Sequence, residues 1–273
     1  MLIKFLKHSL SSLKLAKKAT SALFKDAIFS SLISRYFDSK IPNNSFINPS
    51  INTSSNIIYY DTIYQLIHKN ESSKQEIKAI ALKFQKILSL EIQKETTQRM
   101  LQGKFADHIT NSGGAYEIFP TDLECHHCNQ KFSLNNIPNN NGPLNINLLP
   151  TVTTLWHHRR LIQNLQSIGQ LLNNPFKSTP NNRADFFIPL NLVVIDHGNH
   201  SANAALYESN STIEKYYTYD VSQWFQDIYY DPKTNTFNHS ICGKPLFPNP
   251  LFHENIGYIY EISRLLYQNN IIS

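Results

Sequence analysis

The chain has three cysteines, and two of them, Cys125 and Cys128, stand three apart in Glu-Cys-His-His-Cys-Asn-Gln-Lys-Phe, residues 124–132. The third, Cys242, follows His239 at the same spacing in His-Ser-Ile-Cys-Gly-Lys-Pro-Leu-Phe. Each pair is followed by a residue that tolerates a left-handed backbone, Asn129 or Gly243, with a lysine and a phenylalanine close behind. That is the pattern of a zinc knuckle, in which a tight turn after the second ligand aims backbone N–H groups at the sulfurs. Three thiolates and one imidazole make a common structural zinc set, tetrahedral and with no position left open. The sequence therefore predicts a zinc clamp at Cys125, Cys128, His239 and Cys242 that ties the middle of the chain to a distant loop. Four other imidazoles, on His126, His127, His157 and His158, compete for the place of His239. A redox dithiol at Cys125 and Cys128 lacks the βα context it needs, and three thiols without a metal are the plainest alternative. Catalytic zinc is disfavoured, because three cysteinates weaken the metal as a Lewis acid and the fourth place is already filled.

A second constellation follows an apolar run, at Asp196-His197-Gly198-Asn199-His200-Ser201. Here His200 offers a general base or a metal ligand, with Asn199 and Ser201 beside it as binding groups. Asp220 would orient His200 across neighbouring strands, and Glu261 with Arg264 share one helix face at i and i+3. Such a cluster suits phosphodiester hydrolysis or the binding of a nucleotide phosphate. The same residues also have a structural reading: His200 and Ser201 cap a strand end, Asp220 closes a turn, and Glu261 with Arg264 locks the last helix as an ion pair. Two other enzyme readings remain, a Cys-His-Asp hydrolase using Cys125 or Cys128 with His200 and Asp220, and a histidine-metal nuclease using His197, His200 and Asn203.

The run Gly198-Asn199-His200-Ser201, then Tyr219-Asp220-Val221-Ser222, then Tyr260-Glu261-Ile262-Ser263-Arg264-Leu265-Leu266, resembles a bacterial family of unknown function. The likeness covers residues 155–270 and includes Arg160. It implies which positions matter and no reaction; Ser263 departs from it, since the family tends to have Gly before the Arg. A weaker likeness, to the ParB and sulfiredoxin nucleotide-binding fold, sets residues 165–170 and 198–201 beside that fold's helix and phosphate-binding turn. Ser201 stands where that turn has Arg.

These groups must be positioned by a chain of 273 residues, 41% hydrophobic and 12% aromatic, which is enough to fill a real core. An odd number of cysteines makes no disulfide framework, so a reducing, cytoplasmic setting is expected. Residues 1–37 carry six lysines and no acid before Asp26, which predicts an amphipathic first helix docked on the core. Contact of that helix with a membrane surface or with nucleic acid is the alternative; no apolar run is long enough to span a membrane. After a polar linker at 40–56, a short helix begins at Asp61. Ser73 and Glu76 form a capping box for a longer one reaching about His108, with Ile77, Ile80, Ala81, Phe84, Ile87, Leu88 and Ile92 at helical spacing. Residues 135–150, rich in Asn and Pro, read as loop, and 156–172 as helix. Residues 188–195 read as one buried strand and 216–221 as another. Residues 201–207 fit strand or helix equally, and 254–269 read as helix. The expectation is an α+β protein, helical over residues 1–110 and mixed with a small antiparallel sheet over 111–273. Nucleotide, nucleic acid or a protein partner fits it, the last as a non-enzymatic, zinc-stapled interaction module.

Overall fold

The capping box predicted at Ser73 forms in the computed structural model, which describes residues 57–69, 72–103, 118–138, 142–248 and 250–272. These residues fall in one compact unit, Thr53–Ser273. The expected basic helix at 1–37, the linker at 40–56 and the boundary between 110 and 111 lie outside the described residues.

Helix α1 (Ile57–Lys69) is followed by α2 (Lys74–Leu101). The backbone N–H of Glu76 donates to Ser73 Oγ at 3.2 Å, and the N–H of Ser73 donates to Glu76 Oε2 at 2.8 Å, so two orphan amides at the helix start are satisfied reciprocally. With no Gly or Pro to interrupt it, α2 runs for 28 residues. Ile77, Ala81, Leu88 and Ile92 face inward as their spacing requires, whereas Ile87, on the other side, is 40% exposed. The inward stripe also carries Gln85, Ser89 and Gln93, which a hydrophobic count assigns to water. Each is partnered instead: Gln85 Nε2 donates to Ser263 Oγ at 2.7 Å, Ser89 Oγ to Lys86 O at 2.8 Å, and the Gln93 amide exchanges bonds with the Thr153 backbone at 3.1 and 3.2 Å.

Eleven short strands follow among the described residues. In chain order they are β1 (Asp122–Cys125), β2 (Gln130–Ser133), β3 (Asn136–Ile137), β4 (Leu144–Asn145), β5 (Thr151–Thr153), β6 (Arg183–Ile188), β7 (Leu192–His197), β8 (Thr212–Ile213), β9 (Lys215–Asp220), β10 (Ile228–Asp231) and β11 (Thr236–His239). Interspersed are α3 (His158–Ser167), α4 (Asn199–Ala205) and the last helix, α5 (Glu254–Gln268). The main sheet has five strands in the order β3-β9-β6-β7-β5 and is mixed: β6 and β9 are parallel, as are β5 and β7, while β6 and β7 are antiparallel. The rest are two-stranded pairs, β1-β2, β4-β8 and β10-β11. The fold is α+β, helical first and mixed afterwards, as the sequence predicts.

Several local expectations change: α1 starts at Ile57 rather than Asp61, and α2 ends at Leu101 rather than near His108. The apolar run 188–195 is not one strand: Ile188 ends β6, Pro189 has no N–H to give a ladder, Asn191 takes a φ of 56°, and Leu192 starts β7. The 135–150 segment is not wholly loop, because β3 pairs with β9 and β4 with β8. The helix expected over 156–172 shrinks to α3. His157 stays extended and caps it by accepting the Arg160 N–H on Nδ1 at 3.3 Å, and after Gly169 only a short 3-10 turn, Gln170–Leu172, remains. The undecided segment becomes the helix α4.

The core under the sheet is aromatic. Phe187, Trp224, Phe225, Phe237 and Tyr260 are each at most 1% exposed, and rings of this size each contribute about 1.5–3 kcal/mol through burial. Tyr260 comes from α5 and donates its hydroxyl to Trp224 O at 3.2 Å and Ile228 O at 3.1 Å, so the polar tip that its burial would strand is satisfied. Among the described residues no helix is long and apolar enough to cross a membrane.

Candidate metal centre

Cys125 is the last residue of β1, and the chain turns through His126 to Asn129 before β2 begins at Gln130, directly opposite Cys125 in the ladder. Asn129 takes a φ of 57°, the left-handed conformation expected of it. His239 is the last residue of β11, and the turn after it closes with Gly243 at a φ of 63° and the Gly243 N–H donating to His239 O at 2.8 Å. The two knuckles thus share one design: a strand end, a ligand, two spacers, a second ligand and a left-handed residue. They are brought together by backbone bonds: Glu124 and Phe247 exchange N–H···O bonds of 3.0 and 2.8 Å, so the chain after the second knuckle pairs with β1.

This docking puts Cys125, Cys128, His239 and Cys242 in one cluster whose ligand atoms all lie within 4.8 Å of one another. Cys125 Sγ is 3.4 Å from Cys242 Sγ, and His239 Nδ1 is 3.3 Å from Cys242 Sγ and 3.5 Å from Cys128 Sγ. A tetrahedral site with metal–sulfur bonds of about 2.3 Å and metal–nitrogen bonds of about 2.0 Å has edges of roughly 3.4–3.8 Å, and these three separations are close to such edges. Cys125 and His239 are buried and Cys128 is exposed.

Protonation supports the same reading. Burial opposes ionisation of the Cys125 thiol, yet hydrogen bonds from the backbone N–H groups of Cys128 and His127, and from the Cys128 and Cys242 side chains, bring it down to about 6. Cys128 goes the other way: Gln130 N–H helps its thiolate, but its coupling to Cys125, burial and the nearby Cys242 raise it. Three thiols in contact cannot all ionise unless a cation neutralises them. His239 completes the set with Nδ1 toward the sulfurs; its buried Nε2 makes no hydrogen bond among the described residues, and Phe132 packs edge-on to the ring at 5.4 Å. These four residues could hold a metal ion. The competing imidazoles lie outside the cluster: His126 stacks on Phe247 at 5.2 Å, His127 is exposed, and His157 and His158 stack on each other at the start of α3.

The residues of the second constellation have separate partners. His200, 6% exposed, accepts the His157 backbone N–H on Nε2 at 3.1 Å. Burial, helped by the charges of Arg160 and His157, lowers its pKa to about 4; a donor aimed at Nε2 favours the neutral ring as well. Asn199 bridges two loops, accepting the Thr154 N–H at 2.8 Å and donating to Asp196 O at 3.1 Å, and Ser201 Oγ donates to Gly198 O and accepts from Asn182. Asp220 does not orient His200. The register pairs Arg183 with His197 at one end of β6 and Ile188 with Asp220 at the other. His200 and Asp220 therefore belong to opposite ends of the sheet, roughly 16 Å apart at about 3.3 Å per residue. Asp220 instead accepts the Ser222 N–H at 2.9 Å and closes a turn. The same register dissolves the Cys-His-Asp arrangement, and the cysteines stand with His239 instead. Of the His197-His200-Asn203 set, His197 bonds Asp196 and Arg183 on the surface, while the fully buried Asn203 donates to Gln93, Thr97 and Thr153.

Glu261 and Arg264 do meet. Arg264 Nε and Nη2 reach Glu261 Oε2 at 2.9 and 2.7 Å, and Oε1 accepts the Tyr230 N–H at 2.7 Å. The pair joins α5 to β10 in a place that is 10% exposed on the Glu side chain and 22% on the Arg.

What the sequence did not reveal is the role of Trp156 and Asn199 in joining the loops after β5 and β7; the adjacency of those strands carries no local signal. A family model described as a family of unknown function, DUF6710, matches residues 42–273. No curated protein and no solved structure matches the chain.

Proposed function

We propose a function for a chain that belongs to the family of unknown function DUF6710: it is a non-enzymatic, zinc-stapled binding module in which Cys125, Cys128, His239 and Cys242 hold one structural zinc ion. The observation that carries this is the convergence of four donor atoms within 4.8 Å from two knuckles of the same backbone design. Three soft sulfurs and an imidazole in a tetrahedral set favour zinc over the hard, oxygen-seeking cations. All four places are taken by protein, which suits a staple and leaves none for a substrate or an activated water. The staple fastens the β1-β2 hairpin to the β10-β11 hairpin, both of which pack on the aromatic core, and a reducing compartment such as the cytoplasm would keep its thiolates competent.

The engaged states of the other polar residues support a module over an enzyme. His200 has Nε2 occupied and stays neutral, which suits it to holding the loop before α3 rather than to taking a proton from a substrate.

Elemental mass spectrometry of the purified chain tests the reading. One zinc per chain is expected. Cys128→Ser, at the exposed ligand, and Cys242→Ser each lose it and melt at lower temperature, and chelation of the parent reproduces the loss. A chain without metal, a chain with a different metal, or zinc retained in Cys242→Ser refutes the staple.

A further inference from the structure

The edge of the main sheet where β5 and β7 end carries a second cluster that the metal centre does not use. These strands run parallel, with Thr153 beside Ile195, so the chain leaves both at the same end. After β5 come Thr154, the buried Leu155, and then Trp156-His157-His158-Arg159-Arg160 leading into α3. Trp156 is 45% exposed, which leaves much of its large apolar surface in water, yet the side chain is held in place. Arg160 lies over its ring at 4.8 Å, and the rings of His200 and His157 meet it in T-shaped contacts at 5.1 and 5.7 Å. The loop beneath is pinned by the Thr154–Asn199 and His157–His200 hydrogen bonds. Trp156 is thus a preorganised platform, and preorganisation removes part of the ordering cost of binding.

The surroundings are cationic. Arg159 and Arg160 are exposed, and the amino end of the ten-residue α3 adds its partial positive charge. From Cys125 to Ala184 the sequence has no Asp or Glu at all. Near the end of β7, Asp196 is the acid, and it is paired with Arg183. An aromatic surface and two guanidinium groups match the parts of a nucleotide unit: a flat base and a phosphate.

We propose that this face, centred on Trp156 with Arg159 and Arg160, binds single-stranded nucleic acid, one base stacking on the exposed indole and the flanking phosphates meeting the two arginines. A single strand fits better than a duplex, because a lone exposed indole can stack only on a base that is not already stacked in a helix. This is the ligand of the binding module proposed above, but it does not depend on the zinc ion.

The chain has two tryptophans, and Trp224 is 1% exposed, so quenching of indole emission on titration reports Trp156. Fluorescein-labelled 20-mers of deoxythymidine and of uridine are titrated into the full chain and followed by anisotropy and by tryptophan emission. Binding with quenching is expected. Trp156→Ala weakens it by roughly 5- to 160-fold, the scale of one lost base stack, while Trp156→Phe keeps most of it. The Arg159→Ala/Arg160→Ala double variant flattens the dependence of log affinity on log salt by about 1.4, the value for two phosphate contacts to a single strand. The idea is overturned if affinity survives both sets of substitutions, which would place binding elsewhere, as on the six lysines of residues 1–37. It is also overturned if a duplex of equal length binds as tightly, or if uridine monophosphate quenches as well as the 20-mer at equal nucleotide concentration, which would mark a mononucleotide site. Zinc content of Trp156→Ala should equal the parent's, so failure of this inference and failure of the staple are distinguished.

Discussion

Removal of Arg264 should destabilise the chain more than removal of Arg264 and Glu261 together. In the native pair, Glu261 receives two bonds from the guanidinium and one from the Tyr230 N–H, on a side chain only 10% exposed. Arg264→Leu leaves that carboxylate with a single donor in a place water hardly reaches, a situation that costs about 3–5 kcal/mol. For a chain of this size that corresponds to a fall in Tm of roughly 6–20 °C. In Glu261→Leu/Arg264→Leu no charge remains buried, and the main loss is the acceptor for the Tyr230 N–H, worth about 1–3 kcal/mol. The double variant should therefore be the more stable of the two, with a coupling of about 2 kcal/mol in a double-mutant cycle followed by urea unfolding and circular dichroism. The pH dependence gives a second handle. Burial already pushes the Glu261 carboxyl up, against the pull of Arg264 and the Tyr230 N–H, and without Arg264 it rises further. An acid whose pKa is raised on folding favours the folded state below its unfolded value and loses that contribution as pH rises through the folded value. The deficit of Arg264→Leu should accordingly shrink as the pH is lowered toward about 4.5 and be smallest below it. If the single costs simply add, or Arg264→Leu melts with the parent, the pair is not the lock between α5 and β10 described above.

Two further perturbations test the packing and the loop. Gly257 lies in α5 against Tyr230, and a Cβ there would fall inside the van der Waals radius of that ring, which is held by Tyr258, by Phe237 and by its own hydroxyl on Asn235. Alanine gains about 1 kcal/mol of helix propensity but overpacking costs about 1–3 kcal/mol or more, so Gly257→Ala should lower the urea midpoint; a raised midpoint would show that the ring yields freely. For His200, the folded pKa of about 4 lies below the unfolded value near 6.5, so between those values the unfolded chain takes up a proton that the folded chain refuses. Stability therefore falls on acidification through this window, by up to about 3 kcal/mol from this group. Urea titrations at pH 7, 5.5 and 4.5 should show a shallower decline for His200→Gln than for the parent, and parallel declines would contradict the buried neutral imidazole.

Much of the candidate metal site is readable from a handful of neighbouring residues, for physical reasons. Two ligands three apart, followed by Asn129 or Gly243, describe a turn that closes on itself, and that turn forms with the expected left-handed residue in both knuckles. The Ser73 capping box and the inward stripe of α2 are legible on the same ground, since i, i+3 and i+4 relations are settled within one or two helical turns. The i, i+3 pairing of Glu261 with Arg264 belongs to that class too. His200 and Asp220 do not. Whether they meet depends on β7 running against β6 while β9 runs with it, and nothing within either segment encodes that direction. The split of the apolar run at Pro189, the burial of Gln85 and Gln93, and the exposure of Trp156 above two adjacent parallel strands were likewise decided by partners brought from far along the chain. The sequence alone determined the chemistry of the ligands and the local turns that present them, because those rest on backbone preferences of a few residues. Which knuckle meets which strand, and which polar groups face each other across the sheet, was decided by the tertiary structure, because register and strand direction are set by the summed burial of the whole core.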